Sequence, residues 1–216
     1  MDVYVDTGPG MTAVGEVAAW SFDLEHWGEC GQGITEDAAV ANLARRTGNA
    51  QQRIVDRIST AMRDEVFEAD LRPATGAQVS MTAHILRKER RRTIELVARA
   101  SVYQLEAADE GVAQPVWMRW RTASAIAWHI ADTESRHYLR LVGGGERAPV
   151  PDLLGELEES GHWIQAQLLS IRRDAVERQG TELWTTVKVL RRLAWHERVE
   201  SVFLRRRLKA AGLDVR

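Results

Sequence analysis

TTVKVLRRLAWHERVESVFLRRRLKAAG, residues 185–212, decides how the second half of this chain is read. Val189, Leu193, His196, Glu200, Phe203 and Arg207 step by three or four residues, which sets them on one stripe of an α-helix. Most of that stripe is apolar and predicts burial against other helices. His196 and Glu200 interrupt it at i and i+4, the spacing that brings two side chains together one turn apart. An imidazole and a carboxylate so placed can share a divalent cation, as paired helical ligands do in bundle cores.

The tripeptide Ala-Trp-His at this interruption occurs a second time, in AWHIADTE (127–134). That copy sits in TASAIAWHIADTESRHYLRLV (122–142), also helix-periodic and stopped by GGG. Ile126, His129, Ile130, Thr133 and His137 make its stripe, with His129 the polar break. A catalytic metal takes three protein ligands and keeps one open position. His129, His196 and Glu200 supply that set.

A plainer reading competes. A histidine on an apolar face is often a hydrogen-bonded core residue, and a His-x-x-x-Glu pair near Arg192, Arg198, Arg205, Arg206 and Arg207 is often a surface pair. Asp132, Glu134 and Glu197 read first as solvated helix residues and second as groups that orient imidazole N–H bonds. His137, two turns past His129, is an alternative ligand. His26, His84 and His162 have no partner at ligand spacing. No serine lies in a nucleophile elbow, so no catalytic residue is assigned. GGG (143–145) lacks the lysine of a phosphate loop, so no nucleotide cofactor site is read.

Two further stretches carry the helical period: TAHILRKERRRTIELVARASVYQLE (82–106) and PDLLGELEESGHWIQAQLLSIRRDAVERQ (151–179). Four long helices predict an up-down four-helix bundle over residues 81–216. Residues 61–80 read as a connector, broken at Pro73. Before it the grammar differs. VYVDT, MTAVGEVAAW and DLEHWGEC read as strands, GITEDAAVANLARRTG as a helix capped by Thr35 and closed by Gly48, and RIVDRIST (53–60) as a strand. The expectation is a small antiparallel β-β-β-α-β domain over 1–60 and an α+β chain.

The net charge of −2 is unremarkable, but residues 1–50 hold eight acids against Arg45 and Arg46. An acidic first segment repels phosphate backbones and suits a basic protein partner, so no nucleic acid is expected. Cys30 is the single cysteine, which leaves no disulfide framework and no CxxC motif. The start lacks the basic and apolar regions of a signal peptide, and no apolar run spans a membrane, so the expected location is the cytoplasm. Six of eight tryptophans (Trp117, Trp120, Trp128, Trp163, Trp184 and Trp195) fall in the second half. They read as core filling or as the indole wall of a cleft.

VYVDTGPGMTAVGEV and GECGQGITEDAAVANL, with the element order, resemble the HicB-like antitoxin fold over roughly residues 1–60. That resemblance implies a protein partner such as a small ribonuclease toxin. RTASAIAWHIADTESRHYL and TTVKVLRRLAWHERVESVFLRRRL resemble the second-helix and last-helix motifs of DinB-like proteins, over residues 82–212. The resemblance implies a four-helix bundle, bacterial and often dimeric, with His129 and His196 as first and second metal ligands. Glu200 stands where histidine is the commoner third ligand. The implied activity is thiol-dependent transfer, isomerisation or hydrolysis on zinc or nickel, with a small-molecule substrate and a low-molecular-weight thiol. The alternatives are a non-catalytic protein whose acidic HicB-like domain docks a partner, and a metal-binding protein without turnover.

Overall fold

The computed structural model describes residues 1–8, 17–60, 66–108, 120–180 and 182–215. Strands β1 (Asp2–Thr7), β2 (Val17–Trp20), β3 (Cys30–Gly33) and β4 (Arg53–Ile58) and helix α1 (Glu36–Thr47) come first. Helices α2 (Gly76–Arg99), α3 (Val102–Glu106), α4 (Ala123–Asp132) and α5 (Leu153–Ser170) follow. A hairpin, β5 (Val176–Gln179) and β6 (Glu182–Thr185), then leads into α6 (Thr186–Ala210). The chain is α+β. It divides into two compact units: Met1–Thr82 with Arg172–Trp195, and Ala83–Ile171 with His196–Arg216.

In the first unit the sheet runs in the order β3-β2-β1-β4. It is mixed, not antiparallel as expected: β4 lies parallel to β1, Val3 opposite Ile54, because α1 carries the chain back to the end where β1 began. Of the expected strand DLEHWGEC only its last residue, Cys30, is extended; Leu24–His26 forms a 3-10 turn. Residues 11–16 of the expected MTAVGEVAAW strand lie outside the described residues. Helix α1 starts where Thr35 caps the amide of Ala38 and stops at Gly48, whose φ is 66°. Ala39 and Leu43 of α1 pack on Val3, Val5, Val17 and Ala19. A Cβ at Gly31 would lie 2.1 Å from the Ala39 carbonyl, so the β3–α1 contact depends on glycine there.

Buried charge also belongs to this unit. Arg191 pairs with Asp70 at 2.7 Å, and its guanidinium lies 4.4 Å from the Trp20 ring and 4.8 Å from that of Phe22. The Trp27 indole N–H donates to the Thr82 hydroxyl at 2.8 Å, and that hydroxyl lies within hydrogen-bonding reach of the Leu190 carbonyl.

In the second unit one apolar core draws on four helical segments: Leu96 and Val97, then Ala123, Ile126, Ala127, Ile130 and Ala131, then Leu157, then Leu204 and Leu208. Three expected helices are broken. The 82–106 stretch ends at Arg99, because Ser101 caps a new helix, its side chain accepting from the Gln104 amide and Gln104 reaching back to the Ser101 amide. The 122–142 stretch is α-helical only to Asp132, then turns π-helical over Thr133–Tyr138 and 3-10 over Leu139–Val142. The 151–179 stretch stops at Ser170, and VERQ with ELWT forms a hairpin across Gly180, φ 61°. Helix α2 begins at Gly76, inside the expected connector, where Thr75 and Gln78 bond each other's amides. Among the described residues no helix is long and apolar enough to cross a membrane.

Candidate metal centre

His129 lies on α4, and His196 and Glu200 lie one turn apart on α6, within the second unit. Their candidate ligand atoms all fall within 4.8 Å of one another. The two Nε2 atoms are 3.1 Å apart. Two nitrogens bound to one tetrahedral zinc at ~2.0–2.1 Å stand about 3.3 Å apart by simple geometry, so this spacing suits a shared ion. Glu200 is 2% exposed, and Oε2 has no hydrogen-bond partner among the described residues. Two imidazoles and a buried carboxylate with one oxygen left unsatisfied are the donor set a cation completes.

Electrostatics points the same way. Burial, and then the neighbouring His196, holds the His129 imidazole down to about 3. Burial holds His196 at about 4, with Glu197 pulling upward and Arg90 downward. Both rings are therefore neutral at pH 7, the form that ligates. Burial also pushes the Glu200 carboxyl up to about 7.

Each imidazole has a partner on its other nitrogen. His129 Nδ1 lies 2.8 Å from the Thr133 hydroxyl, which can accept or donate and so permits either tautomer. His196 Nδ1 lies 3.1 Å from Glu134 Oε1; Arg90, 2.6 Å from Oε2, favours Glu134 as a carboxylate, which accepts, so Nδ1 carries the proton and Nε2 keeps its lone pair. The π turn helps bring this about: His129 and Glu134 are five residues apart, about 140° around a regular α-helix, yet both meet His196. Such turns recur at functional sites.

Glu134 and Glu197 are fully buried, not solvated, and Glu134 takes the second role the sequence offers, orienting an imidazole N–H. Arg90 joins them. Its Nη2 reaches Glu134 Oε2 at 2.6 Å and Glu197 Oε2 at 3.1 Å, and Nε reaches Glu197 Oε1 at 3.1 Å. Nη1 meets the Leu157 carbonyl at 3.0 Å and the Ser160 hydroxyl at 2.7 Å, so all five guanidinium N–H bonds are used. Burial raises both carboxyls, Glu197 well above the usual range, against the pull of Arg90. A cavity of about 540 Å³, lined mainly by α2 and α5, borders the network through Arg90, Glu134 and Glu197. The sequence signal for Arg90 was slight, one arginine in the basic run RKERRR.

Asp132 is exposed and pairs with Arg136, and His137 is exposed and lies outside the three-residue cluster. Of the tryptophans, Trp120 stacks on His129, ring centres 4.4 Å apart at 27°. Trp184 lies under the Lys188 ammonium in the first unit, and Trp195 packs against Trp20 there. Trp128 and Trp163 are half-buried, and Trp117 lies outside the described residues. Tyr138 approaches His196 edge-on at 5.8 Å. Cys30 is buried and its thiol is pushed up to about 12 by that burial, so it is not the thiolate of any reaction at neutral pH. No family model, curated protein or solved structure matches this chain.

Proposed function

We propose that the second unit is a four-helix bundle of the DinB-like kind, holding one divalent ion, zinc or nickel, on His129, His196 and Glu200. In this reading it catalyses thiol-dependent transfer, isomerisation or hydrolysis of a small electrophilic molecule. The observation that carries the proposal is the convergence of two neutral imidazoles and a buried carboxylate, one oxygen of which has no hydrogen-bond partner among the described residues. The core shared by four helical segments supports the bundle. A bound divalent cation would supply Lewis acidity and lower the pKa of water or a thiol held at its open position.

The chain's own residues divide the remaining work. His196 presents Nε2 because Glu134 holds its Nδ1–H. Glu200 supplies the one formal negative charge of the ligand set, so a dication and a thiolate together come close to neutrality. Trp120, stacked on His129, forms an apolar wall beside the imidazole and limits water there. The thiol must arrive as a second substrate, since Cys30 is the chain's one cysteine and is buried.

Purified protein tests the proposal in two stages. Metal analysis should find about one zinc or nickel per chain, lost in His196→Ala. Consumption of a model electrophile, such as an activated aryl halide or an epoxide, should then require both the metal and added low-molecular-weight thiol. Metal without any thiol-dependent turnover would reduce the proposal to a metal-binding protein, and absence of metal would remove it.

A further inference from the structure

We infer that Glu134, locked by Arg90, is a positioning residue that fixes the tautomer of His196 and so sets how tightly the centre takes a cation. The inference rests on the metal reading above. Glu134 sets Oε1 on His196 Nδ1 at 3.1 Å and Oε2 on Arg90 Nη2 at 2.6 Å, and its carboxylate also accepts from the carboxyl of Glu197, whose proton burial favours. Glu134 is 0% exposed and Arg90 5%, so neither bond competes with bulk water. Arg90 has no spare donor and is tied to three other groups, Glu197, Leu157 and Ser160, from two further helices. The carboxylate therefore cannot turn away from the imidazole without stranding a buried guanidinium.

The consequence is a defined proton arrangement. His196 carries its proton on Nδ1, leaving Nε2 as an acceptor. At 3.1 Å the facing Nε2 of His129 must then be the donor in the metal-free protein, since two lone pairs do not make a hydrogen bond. Its Nδ1 accepts from the Thr133 hydroxyl. For a cation to bind, His129 moves its proton to Nδ1 while the Thr133 hydroxyl turns from donor to acceptor. His196 needs no change. The site is thus preset on one histidine and adjustable on the other.

Glu134→Gln separates positioning from shape. The amide oxygen will face Arg90, whose N–H bonds need an acceptor, and the NH2 will face His196. Nδ1 must then accept, which puts the proton on Nε2, the atom meant for the cation. Histidine-labelled protein read by proton–nitrogen correlation spectra should show His196 protonated at Nδ1 in the wild type and at Nε2 in Glu134→Gln. With circular dichroism unchanged, the variant should bind Zn(II) or Co(II) about 10- to 100-fold more weakly and give a shifted Co(II) absorption spectrum. Equal affinity and an unchanged tautomer would overturn the inference. If the variant fails to fold, the wild-type spectrum decides alone: a proton on Nε2 of His196 overturns it. A wild type that binds no metal but keeps the Nδ1 proton would sink the metal reading while leaving the tautomer assignment standing.

Discussion

Glu200 carries a cost that no partner among the described residues meets. Its carboxyl is buried with one oxygen unsatisfied, and burial alone moves it up to about 7. In the metal-free protein this group gains a proton on folding, so its contribution to stability is full below about pH 4.5 and is lost as pH rises through about 7. The histidines run the other way. Held down to about 3 and about 4, they bind protons in the unfolded chain first, so their contribution is present above about pH 6.5 and is lost as pH falls. Glu200→Gln, which removes the first effect and keeps the second, should stabilise the metal-free protein at pH 8 relative to wild type, read as a higher urea midpoint. The same change should abolish metal binding. Cation affinity in the wild type should fall about tenfold per pH unit below pH 7, as protons compete for the Glu200 carboxylate.

The stripe on residues 185–212 was legible because α6 is regular, and its 3.6-residue period carries His196 and Glu200 to one face without interruption. The second helix was legible only to Asp132. Its π turn shifts the phase of everything after it, so Glu134, five residues past His129, shares His196 with it, while His137, placed on that face by a uniform period, is exposed. Nothing in the local residue types announces this turn; the long-range bonds of Glu134 accompany it. The β5–β6 hairpin was missed because VERQGTELWT is short and charged enough to pass as the tail of a helix, and Gly180 is its one strong turn signal. In the sheet, Gly31→Ala should force α1 away from β3 and destabilise the first unit by about 1–3 kcal/mol. Chemical denaturation followed by tryptophan fluorescence would measure it.

At the level of the whole molecule, charge and burial in each unit have separate consequences. The first unit keeps Arg191 inside only because Asp70 faces it at 2.7 Å among aromatic rings. Asp70→Ala should leave that guanidinium buried without a counter-charge and cost about 3–5 kcal/mol, seen as a lowered unfolding midpoint. Cys30 offers a native-state probe of the same unit: with its thiol pushed up to about 12, it should react with a disulfide reagent only at the rate of unfolding. For the second unit, a cation present at about 100 times its Kd should add about 2.7 kcal/mol of stability. The α+β character and the meeting of the three ligands follow from patterns visible in the chain. The buried Arg90–Glu134–Glu197 network does not, because a charged residue on a helix reads as solvated until its partners on other helices are known.

Metal stoichiometry of the intact chain, measured beside His196→Ala after growth with added zinc and nickel and a chelator wash, tests the central claim most directly. One equivalent bound by the wild type and none by the variant is the expected result. A wild type that retains no ion, or a variant that retains as much, would contradict a centre built from residues 129, 196 and 200.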